Sequence, residues 1–322
     1  MNYALRYVKV LLSSRRLFKN WLTLGTAYYL TRKGILSSKT VRARYVGGST
    51  VLPLNVYSRI INLYSDGFIE SIYFNRKVAH IKHVGEIPLE ELESIDSTTL
   101  TYANGWNYSS GLWYYKNLIF KHLRLGLVEV FCLNPYPLED VNLTGREVVD
   151  VGAYIGDSVI YFLSKGASKV VAVEPHPKAF EEMIANLKLN KMLEKVTALN
   201  VALGCCRRKI RLPSEISMNE IWSLNALNSK GDIEVEVLTL KEILSKVEDP
   251  YLIKLDCEGC EYEVLSKFYK DLRKFEVVFV EYHSGYEEII RTISKDYEYQ
   301  LIKDPLLSNP EKQGIIKFKK KA

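Results

Sequence analysis

The 322-residue chain is 47% hydrophobic and 25% charged with a net charge of +6, the balance of a globular protein with room for about two domains. That balance excludes long disordered or low-complexity stretches, and no apolar run reaches the roughly 18 residues of a bilayer span; the longest, 21–30, is interrupted by Thr23, Gly25 and Thr26. The first residues carry Arg6 and Lys9 inside the apolar pattern and no small-residue cleavage site, so a secretory leader is not expected and a cytoplasmic location is.

Charge is distributed unevenly. Residues 1–65 hold eleven basic and no acidic side chains, leaving 33 basic against 38 acidic in the remainder, which points to an anionic partner for the front of the chain. Residues 3–31 read as helical, with Ala4, Tyr7, Val8, Leu11, Phe18, Trp21 and Leu22 on one face and Arg6, Lys9, Arg16 and Lys19 largely away from it. Three readings fit: a helix packed on its own domain, peripheral association of residues 1–33 with an anionic membrane, and contact with nucleic acid. Residues 41–82 alternate around Gly47-Gly48 and Asp66-Gly67 and predict hairpins or a small sheet; 111–127 predicts a helix, with Tyr102, Trp106 and Tyr108 in a loop before it. The polar stretch 138–146 sets the expected boundary: a mixed α+β region over 1–140 for substrate, membrane or partner docking, and a second domain over 141–322.

From residue 147 strands and helices alternate. Strands are expected at 148–152, 169–174, 196–202, 251–255, 277–281, 297–303 and 314–319. Helices are expected at 158–164 with Asp157 as N-cap, after Pro177, and at 240–247, 261–268 and 286–294. Residues 209–212 and 233–238 read as an inserted hairpin. This order predicts an α/β fold, a mostly parallel sheet covered on both faces, with ligands at the carboxyl ends of its strands.

The string VVDVGAYIG, 148–156, ends a strand in Asp150 and turns on Gly152 and Gly156; the next strand ends in Glu174. The spacing is not the G-x-G-x-x-G of dinucleotide sites, and no Gly-Lys-Ser/Thr follows, so a phosphate loop is absent. An acid before the turn suits a cofactor with an ammonium end and no phosphate. S-adenosylmethionine answers that description: Asp150 orients the ammonium, the turn N–H groups meet its carboxylate, and Glu174 accepts from the ribose hydroxyls. A turn-capping role for Asp150 and an exposed strand-end role for Glu174 are the plain alternatives.

The ordered set VVDVGAYIGDS, VVAVEPHP, LNVALG, VEVLTLKEIL and LIKLDCEGCEYEVL resembles the FkbM family of S-adenosylmethionine-dependent methyltransferases over about residues 145–285. The resemblance implies a class I methyltransferase (Rossmann-like) fold, a seven-stranded sheet ending in an antiparallel hairpin. It also implies O-methylation of a sugar, glycan precursor or other small metabolite. The cofactor set it implies comprises Asp150, Gly152, Ala153, Tyr154, Gly156, Asp157, Ser158, Glu174, Pro175, Asn200, Val201, Ala202 and Asp256, with Asn200 to Ala202 lining the adenine. Alternatives are an RNA or DNA methyltransferase and a non-catalytic cofactor- or membrane-binding module.

For chemistry, Lys254, Asp256 and Glu258 lie at one strand end and Glu281 and His283 at the next. His283 is the first candidate for general base, with Asp256 or Glu281 orienting it or binding the acceptor. A divalent metal on Asp256, Glu281 and His283 is chemically allowed, but none is expected. Cys257 and Cys260 have C-x-x-C spacing beside Cys205 and Cys206, with Cys132 left over; small buried thiols are expected in preference to a disulfide or zinc.

Overall fold

The computed structural model describes residues 3–306 and 309–321, with side chains described from Val8 onward. Two compact units emerge, Met1–Val128 and Glu129–Ala322, so the break falls ahead of the expected boundary at 140.

The first unit begins with helices Tyr3–Leu17 and Trp21–Arg32 in place of one continuous helix. Asn20 interrupts them: its side chain accepts from Arg44 N–H at 2.8 Å and donates to the Arg42 carbonyl at 2.9 Å, committing the break to the neighbouring strand. The apolar face expected here is buried only in part, at Phe18, with Leu11 and Trp21 half-buried. Val10, Phe18 and Leu24 are buried, whereas Val8 and Leu22 are half exposed or more; Ala4, Arg6 and Tyr7 lie outside the described side chains. A hairpin of Thr40–Tyr45 and Gly48–Pro53 forms as the glycines predict. Helix Leu54–Ser65 then replaces part of the expected sheet, because Val56, Tyr57, Ile60 and Ile61 recur at helical spacing and are buried together. Strands Ile69–Tyr73, Val78–Ile81 and Gly85–Pro88 form a three-stranded sheet.

The helix expected at 111–127 is corrected outright. Trp106–Ser109, Leu112–Tyr115 and Leu118–Phe120 form another antiparallel sheet. Ser110 and Gly111, both at positive φ, make its first tight turn. Trp106, expected in a loop, is buried and stacks on Tyr115.

The second unit holds seven strands in one sheet: β1 (Glu147–Val151), β2 (Lys169–Val173), β3 (Val196–Leu199), β4 (Pro250–Leu255), β5 (Val277–Tyr282), β6 (Tyr297–Ile302) and β7 (Gly314–Lys320). Their spatial order is 3-2-1-4-5-7-6, with β7 antiparallel to both β5 and β6 and the rest parallel. The terminal hairpin is thus present as the resemblance implies. Central β1 is buried along its whole length, as expected for a parallel strand with both faces covered.

Alternation along the strands sorts side chains to two faces. Val149, Val151, Ile253, Leu255, Val278 and Val280 join one core with Leu240, Ile243, Val264 and Leu265 from the helices. Asp150 and Lys254 are paired in register on the other face. Helix α1 (Asp157–Ser164) brings Phe162 to Tyr136, whose ring also meets Phe279. The N-cap of α1 is Gly156 in the left-handed region, so Asp157 is the first helical residue and not the cap expected. Helix α2 (Pro177–Leu189) is capped by His176, and α3 (Cys260–Leu272) follows β4.

The inserted hairpin is Arg208–Leu212 with Ile233–Leu238, joined by Ala202–Leu203 into a small separate sheet. The strand expected over 196–202 is therefore broken at Asn200-Val201 and shared between two sheets. Cys257 and Cys260 are joined as a disulfide, against the expectation of free thiols; it closes the loop that enters α3. Among the described residues, no helix is long and apolar enough to cross a membrane.

Candidate active site

Two groups of charged side chains form at the carboxyl ends of β1, β2, β4 and β5. The first surrounds Lys254, whose side chain is buried between Asp150 Oδ1 at 3.2 Å and Asp256 Oδ2 at 3.1 Å and donates to the Gly152 carbonyl at 2.8 Å. The other oxygen of Asp150 accepts from Ser158 Oγ at 2.6 Å. Burial alone would drive the proton off Lys254, but the facing carboxylates of Asp150 and Asp256 outweigh it and hold the ammonium charged. Burial raises Asp150, and Lys254 and Ser158 offset part of the rise.

The turn after β1 is locked from within. Gly152 has φ +78°, and a Cβ there would lie 1.5 Å from the Asp256 carbonyl oxygen; no other residue fits between the ends of β1 and β4. Gly152 and Ala153 N–H both donate to the Val173 carbonyl at 3.0 Å, and Gly156 N–H donates to the Ala153 carbonyl at 2.7 Å. Tyr154 N–H donates to Glu174 Oε2 at 2.9 Å, and His176 N–H to Glu174 Oε1 at 2.7 Å. Several N–H groups that the sequence assigns to a ligand are thus engaged by protein, and Asp150 faces Lys254 and Ser158.

Glu174, at the end of β2, is buried, and burial pushes it up to about 7 despite its two N–H donors. Each oxygen is held by a single N–H, which leaves lone pairs for further donors. Asp157, buried behind the turn, is likewise pushed up to about 7. Asn200 braces this corner by donating to the Glu174 and Pro175 carbonyls at 2.9 and 3.0 Å. Ala202 is buried in the small sheet, and Val201 packs against the main core.

The second group gathers about His283. Its Nε2 lies 3.3 Å from Glu258 and 3.6 Å from Glu281, and its Nδ1 3.8 Å from Glu261. Neither buried ring nitrogen makes a hydrogen bond among the described residues. Burial opposes a charge on the ring, but Glu281, Glu258 and Asp256 prevail and raise it to about 10, so at neutral pH the imidazole carries its proton. The carboxylates rise as well, each through burial first: Glu258 to about 8, with Asp256 and Glu281 adding to the rise, and Glu281 to about 7, with Asp256 adding to it, while His283 opposes both.

The structure brings together all five catalytic candidates, Lys254, Asp256, Glu258, Glu281 and His283. It adds three residues that sequence reasoning missed. Glu261 is fully buried and accepts from Cys257 and Gly259 N–H at 2.7 and 2.8 Å, which shapes the loop carrying Glu258; an acid in the first turn after Gly259 was the available signal. Tyr136 is buried, with Lys254 Nζ 5.7 Å from its ring centroid. Its phenol is pushed well up by burial and by Asp256 and Glu281. Glu129 is raised by burial and by Glu281 and Asp304; nothing in its local sequence marks it.

A 3-2-1-4-5-7-6 sheet with acids at the ends of β1, β2, β4 and β5 defines the class I methyltransferase fold. Residues 150–301 match the family model described as the Methyltransferase FkbM domain, so this part of the chain is an FkbM methyltransferase domain, as its motifs suggest. The chain is similar to the hexuronic acid methyltransferase AglP of Haloferax volcanii, 28% identical over 139 residues covering 42% of this chain and 55% of the relative. It thus spans about half the length of that curated relative. Among solved structures it is similar to a methyltransferase FkbM from Methylobacillus flagellatus, with 15% identity, TM-score 0.40, and coverage of 60% of this chain and 52% of that one. An rRNA methylase from Streptococcus thermophilus is also similar, with 13% identity, TM-score 0.37, and coverage of 57% and 92%.

Proposed function

We propose that the protein is an S-adenosylmethionine-dependent methyltransferase acting on a hydroxyl of a sugar or related small metabolite. The observation that carries the reading is Glu174: a buried carboxylate at the end of β2, its two oxygens oriented by the N–H groups of Tyr154 and His176 with acceptor capacity to spare. That is the donor-ready acid a nucleoside ribose needs. The sugar class is favoured by the likeness to a hexuronic acid methyltransferase and by the polar character of the His283 group.

When bound, S-adenosylmethionine supplies a methyl group already activated by a sulfonium, and its transfer leaves a neutral thioether. Glu174 accepts from the ribose hydroxyls. Lys254 neutralises Asp150 and fixes Asp256 at the mouth of the site, while Gly152 lets the β1 turn and the β4 loop close on each other. Positioning of the acceptor supplies the larger share of the rate. The proton of the acceptor hydroxyl passes to a carboxylate of the His283 group. Glu281 replaces His283 as our first candidate for that base, because the imidazole is already protonated between its acid neighbours. His283 then orients Glu281 and Glu258.

Calorimetry with S-adenosylmethionine on the full chain tests the cofactor. Micromolar to millimolar binding that Glu174→Ala abolishes is expected, and no heat from a cooperatively folded protein overturns the reading. Incubation with labelled methyl donor and a panel of uronic acids, neutral sugars and RNA tests the acceptor class; label in RNA alone would replace the sugar reading.

A further inference from the structure

Asp256, Glu258 and His283 each offer one ligand atom, and those atoms lie within 4.8 Å of one another. Donors on opposite sides of a divalent cation with bonds of about 2.1 to 2.4 Å stand roughly 4.2 to 4.8 Å apart. The ring nitrogens of His283 face three carboxylates at 3.3 to 3.8 Å, and among the described residues neither nitrogen makes a hydrogen bond. They are arranged about a common centre. The backbone fixes them there, since Glu261 holds the loop through Cys257 and Gly259 N–H, the Cys257–Cys260 disulfide closes it, and β4 and β5 are paired in register up to Leu255 and Val280.

Charge points the same way. Asp256, Glu258, Glu261 and Glu281 converge on one imidazole, and the neighbouring ammonium, Lys254, is shared with Asp150. Two carboxylates and one imidazole form a hard-to-borderline donor set suited to Mn²⁺ or Mg²⁺, and poor for a thiophilic ion.

We infer that Asp256, Glu258 and His283 form a binding site for a divalent cation of the magnesium–manganese class, with Glu281 at its margin; the entering ion takes the ring nitrogen in place of its proton, which leaves to solvent. Its existence rests on this geometry alone; its role rests on the proposed methyl transfer. There the cation would hold an acceptor oxygen beside Glu281 and make the hydroxyl proton easier to remove.

Mn²⁺ is the probe. Full-length protein stripped with chelator is titrated with MnCl₂, following free ion by electron paramagnetic resonance. One bound ion per chain is expected, with a ¹⁴N coupling in pulsed spectra. Asp256→Asn with Glu258→Gln should weaken binding at least 100-fold, and His283→Ala should remove the ¹⁴N coupling. Glu236→Gln, on the small sheet, should leave both unchanged. Thermal melts by circular dichroism verify that each variant folds. The inference falls if folded wild type takes up no Mn²⁺ at millimolar concentration, or if the double variant binds as wild type does. Calorimetry with S-adenosylmethionine on the same stripped sample separates the two claims: heat from the nucleoside without Mn²⁺ uptake sinks the cation site alone, whereas Mn²⁺ uptake without nucleoside heat sinks the cofactor reading alone.

Discussion

Around Lys254 the buried charges are matched: Asp150 has an ammonium on one oxygen and a hydroxyl on the other, and Asp256 takes the ammonium from the opposite side. At the same strand ends, around His283, three carboxylates face one imidazole, and among the described residues neither ring nitrogen makes a hydrogen bond. Matched buried charges hold a structure together, because removing one member strands the rest in a poorly solvated place. Crowded like charges cost the free protein stability and are relieved by something that arrives, whether proton, cation or substrate. The difference separates scaffold from chemistry within one site.

The largest expected effect breaks the matched group. Lys254→Ala leaves Asp150 buried without its cation, and loss of one partner of a buried pair costs about 3 to 5 kcal/mol. Urea unfolding should show that loss with an unchanged m-value; a loss below about 1 kcal/mol would place Lys254 among surface-like pairs. Next is Glu281→Gln, at the crowded group. Its expected cost is about 10² to 10⁴ in methyl-transfer rate, with S-adenosylmethionine affinity within about twofold of wild type. A matching drop in affinity would show that Glu281 serves the cofactor.

Glu174 sits between the two kinds. Burial raises it to about 7, so the free protein binds a proton there that the unfolded chain, with an ordinary carboxyl, does not at the same pH. Its contribution to stability is full below the ordinary carboxylate range and lost as pH rises through 7. Ribose hydroxyls call for the ionised form, so cofactor affinity should tighten about tenfold from pH 6 to pH 8. Glu174→Gln should weaken binding by about tenfold or more at pH 8 and flatten that profile. A profile as steep in the variant as in wild type would assign the titration to another group.

The same contrast explains what was legible in the sequence. Strand positions and the ligand end followed from apolar runs punctuated by glycine and ending in acids, and those runs survive as β1, β2, β4 and β5 because a parallel core needs them. The five catalytic candidates came from adjacency: Lys254, Asp256 and Glu258 on one strand end, Glu281 and His283 on the next. Partners were not legible. That Asp150 would face Lys254 depends on the β1–β4 register, and that Glu261 would fold back onto its own loop depends on a turn whose shape is set by the packing of Gly152 against Asp256. Helix and strand were exchanged at 111–127 because its aromatic pattern fits both periods, and the turn at Ser110-Gly111 decided for strands. Helix Leu54–Ser65 was readable at Val56, Tyr57, Ile60 and Ile61 but was masked by the hairpin before it.

The smallest expected effect concerns the roof of the matched group. Tyr161, on α1, directs its hydroxyl to Asn134 Oδ1 at 2.7 Å and the Tyr136 carbonyl at 3.1 Å. Asn134 adopts a positive φ of 54°, and two residues on, the Tyr136 ring lies 5.7 Å from Lys254 Nζ. One hydroxyl thus ties down the segment that screens the ammonium from water. Tyr161→Phe keeps the ring against Phe131 and Phe162 and removes only that tie, so about 0.5 to 1.5 kcal/mol of stability should go, seen as a fall in Tm of about 2 to 4 °C. Methyl-transfer rate should not move, because the crowded group takes no bond from this hydroxyl. A rate loss of tenfold with the small Tm change would mean that Tyr136 couples the two groups, through its position beside Lys254 and near Asp256 and Glu281, and that scaffold and chemistry are less separate than their hydrogen bonds make them.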